Sequence, residues 1–267
     1  MPLNRTGQPR DQGCTSHHPS DRNGPMIATQ TTTTAKASPL AGFAISDFDS
    51  FNFGFSPLTQ FGTNGNDTMT ALAGGTAANP SFTYGLDGDD KITGSAGIDT
   101  IYGGAGKDIL QGVGGHDKLD GGNGDDYVYG GGDGDILKGG AGDDYVAGAL
   151  SAKNVIVEGG AGNDTVAGSR GGGGIIDGGI GNDFLMIRAT HPGDADNHYI
   201  GGSGWDVAYL DRLLAAPGED AWIDVNAQGD YVLHWMAKGG QMQTDIVEGI
   251  EQFSIAGTLY TFDQLLV

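Results

Sequence analysis

An aspartate recurs at every ninth residue through the middle of this chain, each one preceded by a glycine-rich stretch. From Gly85 to Ala147 the sequence divides into seven successive nonapeptides. Each opens with Gly, carries Asp at position six and has Ile, Leu or Val at position eight. A short carboxylate offers the hard oxygen that calcium prefers. Glycines at positions one, two and four allow positive φ and close backbone approach. The aliphatic residue at position eight suits a short strand in which it points inward and its neighbours outward.

The pattern resembles GGxGxDxUx, the RTX or hemolysin-type calcium-binding nonapeptide repeat of secreted bacterial proteins. The resemblance implies an all-β, right-handed parallel β-roll in which two nonapeptides make one coil. It also implies calcium between stacked turns, held by Asp and turn carbonyls. Alternate repeats then stack on one side. Side one places Asp67, Asp90, Asp108, Asp126, Asp144, Asp164, Asp183 and Asp206 at position six without a gap. Side two keeps Asp99, Asp117 and Asp135, whereas its segments 71–84, 148–158, 168–177 and 187–200 are longer and lack the motif. The expected metal-site residues are these eleven aspartates with the turn glycines Gly104, Gly106, Gly122, Gly124, Gly140, Gly142, Gly160, Gly162, Gly179 and Gly181. Seven sites between the turns of side one and two on side two give about nine Ca2+ ions.

Composition agrees with that expectation. Glycine supplies 51 of 267 residues, and 34 acidic residues face 13 basic ones for a net charge of −21. All but four of the acids (Glu158, Glu219, Glu248 and Glu251) are Asp, which favours tight turns over helices. Nine divalent ions would carry +18 against this −21. Such a charge repels nucleic acid and anionic membranes. There is no apolar run of transmembrane length. The aliphatic core is thin for so much ordered glycine, so metal binding is expected to supply much of the stability.

The organisation expected is a disordered leader over 1–41, an N-terminal cap segment over 42–61, the roll over 62–209 and a C-terminal cap over 210–267. The leader holds the single Cys14, which excludes an internal disulfide, and Met26 is an alternative start. Phe43, Phe48, Phe51, Phe53 and Phe55 are expected to pack on the first coil. Segments Ala221–Ala227, Asp230–Ala237, Thr244–Ile255 and Thr258–Val267 read as strands covering the other end, with a helix near Asp211–Ala216. The terminal Asp263-Gln264-Leu265-Leu266-Val267, an acid before several hydrophobics, resembles the uncleaved signal of type I secretion substrates.

No catalytic constellation is legible. HExxH and GxSxG are absent, and Gly103–Lys107 lacks the Ser or Thr and the spacing of a phosphate loop. His191 and His198, near Asp194 and Asp196, read as a solvated polar loop. The chain is therefore expected to be a non-enzymatic, secreted or cell-surface calcium-binding protein with a structural or adhesive role. Its expected partners are calcium, the type I secretion apparatus and extracellular or cell-surface polysaccharide. The alternative is the non-catalytic export module of a secreted enzyme, for example one that modifies polysaccharides.

Overall fold

The computed structural model of the chain describes residues 58–188, 195–210, 221–237, 241–255 and 257–267. The expected leader, the phenylalanines of the N-terminal cap segment and the expected helix near Asp211–Ala216 lie outside these residues.

Each repeat forms one turn followed by one short strand, because the glycines that open the next repeat end the extended run. β1 (Leu58–Phe61) with β2 (Thr68–Thr70), β3 (Ser81–Asp87) with β4 (Lys91–Thr93), and β5 (Asp99–Ala105) with β6 (Ile109–Gln111) make the first three coils. β7 (Lys118–Asn123) with β8 (Tyr127–Tyr129) and β9 (Ile136–Ala141) with β10 (Tyr145–Ala147) make the next two. β11 (Ile156–Ala161) with β12 (Thr165–Ala167), β13 (Ile175–Ile180) with β14 (Phe184–Ile187), and β15 (His198–Ser203) with β16 (Val207–Leu210) complete eight. Odd-numbered strands stack in one parallel sheet and even-numbered strands in a second. The fold is an all-β parallel β-roll.

Facing inner columns fill the space between the sheets. Ile92, Leu110, Val128, Val146, Val166 and Leu185 stack in one, and Ile101, Leu119, Leu137, Val157, Ile176 and Tyr199 in the other, all buried. Val157, Ile176 and Tyr199 belong to the motif-free segments of side two. The turns there changed while the inward strand position was kept. An inward Leu or Ile contributes about 1.5–3 kcal/mol. Ordering the nine residues of its repeat costs on the order of 10 kcal/mol. Apolar burial alone therefore does not hold the roll together.

Past the eighth coil come β17 (Ala221–Val225), β18 (Tyr231–Ala237), β19 (Gln241–Glu248), β20 (Gln252–Ile255), β21 (Thr258–Thr261) and a one-turn helix, α1 (Phe262–Leu265). β19 pairs in parallel with β15, and β20 with β16, so both sheets gain a ninth rung. β17 and β18 then extend the first sheet antiparallel, and β21 does so for the second. Buried Trp235, Ile223, Leu233, Phe253 and Leu265 join this end to the same core. The segment Thr244–Ile255, read as one strand, is broken at Gly249–Glu251, because the chain must cross there from one sheet to the other.

Candidate metal centre

The turns of side one join the first sheet to the second, and one of them shows how all are built. In Gly121–Asp126 the glycines at positions two and four have φ of 110° and 126°. A methyl group on Gly122 would overlap the Gly104 carbonyl oxygen of the preceding coil, and one on Gly124 the Gly106 carbonyl oxygen. A methyl group on Gly121 would strike the carboxylate of Asp126. The glycines thus let carbonyl oxygens of successive turns stack closely while the Asp side chain folds back over its own turn. Gly104, Gly106, Gly140, Gly142, Gly160, Gly162, Gly179 and Gly181 repeat the arrangement, each with positive φ and a carbonyl of the preceding coil in its Cβ position.

The position-six carboxylates form a ladder. The backbone N–H of each Asp donates to Oδ1 of the Asp one coil further on: Asp67 to Asp90, Asp90 to Asp108, Asp108 to Asp126 and Asp126 to Asp144, at 2.7–2.8 Å. The series continues through Asp144 to Asp164, Asp164 to Asp183 and Asp183 to Asp206, each at 2.8 Å. On side two Asp99 donates to Asp117 and Asp117 to Asp135, both at 2.9 Å. The structure therefore brings all eleven aspartates into two columns.

Their second oxygens divide them. Oδ2 of Asp90, Asp108, Asp117, Asp126, Asp144, Asp164, Asp183 and Asp206 is buried without a hydrogen-bond partner. The other three are satisfied within their own turns. Asp67 Oδ2 accepts from the Thr63 N–H and hydroxyl, Asp99 Oδ2 from those of Ser95, and Asp135 Oδ2 from the N–H groups of Gly131 and Gly132. A buried polar atom left unpaired costs about 1–3 kcal/mol. Eight such atoms together rival the ~5–15 kcal/mol by which a domain is stable.

The same burial raises the carboxyl pKa values. Asp117, Asp126 and Asp164 are pushed up to about 7, and Asp108, Asp144 and Asp183 to about 6. Desolvation is the main cause, partly offset by the N–H from the preceding Asp and reinforced by neighbouring carboxylates. Asp90 and Asp206 are raised for the same first reason.

These donors fit calcium. Eight of the eleven turns offer one orphaned carboxylate oxygen beside stacked carbonyls, an all-oxygen environment. Among the described residues no three His, Cys, Asp or Glu side chains gather at one point, so an ion here would draw on backbone carbonyls as well as carboxylates. His198 lies 3.6 Å from Glu248, Asp196 accepts from the Thr244 hydroxyl at 2.6 Å, and His191 and Asp194 are outside the described residues.

Two acids at the column ends were not singled out in the sequence. Asp206 N–H donates to Glu251 at 2.7 Å, so Glu251 ends the side-one ladder. On side two the column position passes through Val155 and Gly174 to Asn197, whose N–H donates to Asp245 at 3.2 Å. Asp245 is buried, its Oδ2 accepts from the Trp235 indole at 2.9 Å, and burial pushes its pKa up to about 8. The signal that marks both is an acid two residues before an inward apolar residue, Asp245 before Val247 and Glu251 before Phe253. A second, exposed ladder runs the opposite way at position five. There Asp143 N–H donates to Asp125, Asn163 to Asp143 and Asn182 to Asn163, at 2.7–3.0 Å.

Comparison with known proteins finds the same repeat. The family described as "RTX calcium-binding nonapeptide repeat (4 copies)" matches residues 84–119, 120–150 and 151–175. No curated protein matches the chain significantly in sequence. Among solved structures, the extracellular lipase LipA from Serratia marcescens is similar at 19% identity and a TM-score of 0.19. That likeness covers 78% of this chain and 40% of the lipase chain.

Proposed function

From the premise that residues 84–175 are RTX calcium-binding nonapeptide repeats, we propose that this chain folds on binding calcium outside the cell and serves there as a structural or adhesive surface element. The observation that carries this reading is the row of buried Asp Oδ2 atoms without a protein partner. Bound calcium supplies positive charge to these oxygens and to the turn carbonyls beside them. The aspartates hold their Oδ1 atoms on the backbone ladder and so present Oδ2 in a fixed direction. The turn glycines bring carbonyls of successive coils within reach of one ion. By this reading the eight aspartates with orphaned oxygens are the principal ligands, while Asp67, Asp99 and Asp135 complete the column ends. A total of about nine ions is part of the proposal.

The repeats themselves are structural and non-catalytic. Among the described residues no helix is long and apolar enough to cross a membrane. The proposed organisation keeps the leader at 1–41, the cap segment at 42–61, the roll at 62–209 and the C-terminal cap at 210–267. Export through a type I apparatus, by way of the terminal hydrophobics, and contact with extracellular polysaccharide belong to the same proposal.

Circular dichroism of the full chain tests the central claim. In chelator the spectrum is that of an unfolded chain. Calcium near 10⁻³ M, the range in which extracellular calcium modules load, brings β structure and a cooperative melt. Magnesium at the same concentration does much less, since it holds its waters and needs small octahedral sites. A β-rich, cooperatively melting protein already present in chelator at about pH 8, where the carboxylates are charged, overturns the reading.

A further inference from the structure

The ninth rung crosses between the sheets by a shorter route than any complete side-one turn below it. Six residues, Gly201–Asp206, make the last full turn, whereas three, Gly249–Glu251, make the turn stacked on it. The shortened turn keeps two features of the ladder. The Gly249 carbonyl oxygen occupies the space that a methyl group on Gly201 would need, as the Gly121 carbonyl does for Gly103. Glu251 accepts the Asp206 N–H at 2.7 Å, as Asp206 accepts that of Asp183 at 2.8 Å. Glutamate has one methylene more than aspartate, which lets it reach this position from a turn with fewer residues. Asp206 itself is fully buried, and its Oδ2 has no partner.

What the shortened turn omits is open space. A cleft of about 480 Å³ lies there, lined among others by Trp205, Glu248, Gly249, Glu251 and Asp263. Among the described residues no Lys or Arg lines it. Glu251 lines this cleft, as do Glu248 and Asp263, and it accepts the N–H of Asp206, whose own carboxylate is buried. We propose that this junction is a further calcium site, formed by Asp206, Glu251 and the Gly249 carbonyl and open to solvent through the cleft. It rests on the reading of the repeats as calcium sites and adds an eighth site to the seven of side one. Because half of its turn is missing, its ion keeps water and exchanges more readily than those between full turns. Its ion also ties the terminal rung to the roll, since Asp206 belongs to the last repeat and Glu251 to the segment beyond it.

Terbium substituted for calcium in the full chain tests this, because Trp205 is 53% exposed and lines the cleft, whereas Trp235 is buried in the core. Tryptophan-sensitised terbium emission is expected from the wild type and falls about tenfold in Trp205→Phe, with the number of bound ions unchanged. Glu251→Gln keeps an acceptor for the Asp206 N–H. It is expected to bind one ion fewer by equilibrium dialysis and to lose the sensitised emission, while its calcium-loaded dichroism remains that of the roll. Undiminished emission from Trp205→Phe overturns the proposal even where Glu251→Gln fails to fold, as does an unchanged ion count in a folded Glu251→Gln. Asp126→Asn separates the two readings. Loss of ions in that variant alone removes only the junction site, and a wild type that binds no calcium removes both.

Discussion

Asp126 and Asp135 occupy the same repeat position, yet their carboxylates differ in what they lack. Asp126 Oδ2 is buried and unpaired, whereas Asp135 Oδ2 already accepts two backbone N–H groups from its own turn. Asp126→Ala should therefore cost more of the calcium affinity and more of the calcium-loaded Tm, by roughly 5–10 °C for a loss of ~2–3 kcal/mol, than Asp135→Ala. Equal losses, measured by calorimetry in calcium, would show that the orphaned oxygen does not mark the stronger ligand. Proton linkage gives a second expectation at this scale. Asp108, Asp117, Asp126, Asp144, Asp164 and Asp183 have pKa values raised to about 6 or 7 in the metal-free roll, so between an ordinary carboxyl pKa and those values the roll holds more protons than the unfolded chain. Stability from this source is present at low pH and is lost as pH rises through 6 to 7. In metal-depleted buffer, β structure by dichroism should thus be greater at pH 5 than at pH 8. With calcium the order reverses, because protons compete for the same oxygens and the apparent affinity falls below pH 7.

Among the elements, the turns carry the specialisation and the strands the continuity. Where side two lacks the motif, its column reads Val155, Gly174 and Asn197, yet Val157, Ile176 and Tyr199 still point inward. The inward position was legible wherever the repeat was intact. In the longer segments no phase was available until the register with neighbouring strands supplied one. Two turns put a residue other than glycine in a left-handed conformation at position two. Leu86 and Val113 stand at position two with φ of 87° and 81°, a conformation that strains a residue with a Cβ. Val113 is 45% exposed and has little packing to lose. Val113→Gly should raise the calcium-loaded stability by about 1 kcal/mol, relief of strain exceeding the added entropy of the unfolded chain. A destabilised variant in denaturant titration would mean that the Val113 side chain makes contacts outweighing its backbone strain. Gly122→Ala should do the opposite, because its methyl group would meet the Gly104 carbonyl.

The whole molecule combines a net charge of −21 with columns of stacked carboxylates, and both favour the unfolded chain until cations arrive. Its last residues have a place in the fold besides the export role proposed for them. Leu265 is buried in the terminal core and the Val267 N–H donates to the Ile223 carbonyl at 3.0 Å, while the side chains of Leu266 and Val267 are exposed. Removing all three residues would therefore disturb the core as well as any export signal. The double substitution Leu266→Asp and Val267→Asp leaves Leu265 in place and separates the two roles. It should preserve calcium-induced folding within about 1 kcal/mol and sharply reduce release from a host carrying a type I exporter. Unchanged release would assign the terminal hydrophobics to the fold alone.

The sequence by itself determined the parallel roll, the two sides and the chemistry of the turns. The nine-residue period keeps Gly, Asp and an aliphatic residue in phase, and its resemblance to the RTX repeat, in which two nonapeptides make one coil, places Asp over Asp with the aliphatic residues facing inward. Only the tertiary structure decided which carboxylates are left without a protein partner. That depends on whether a turn folds its own N–H groups onto the Asp, as at Asp67, Asp99 and Asp135, or leaves Oδ2 bare, and the motif is the same in both cases. It also decided where the ladders end. Glu251 lies 45 residues beyond Asp206, and Asp245 lies 48 beyond Asn197. No local period links residues so far apart. Sheet register brings them together, because β19 and β20 pair with β15 and β16 only after the intervening strands have turned the chain back.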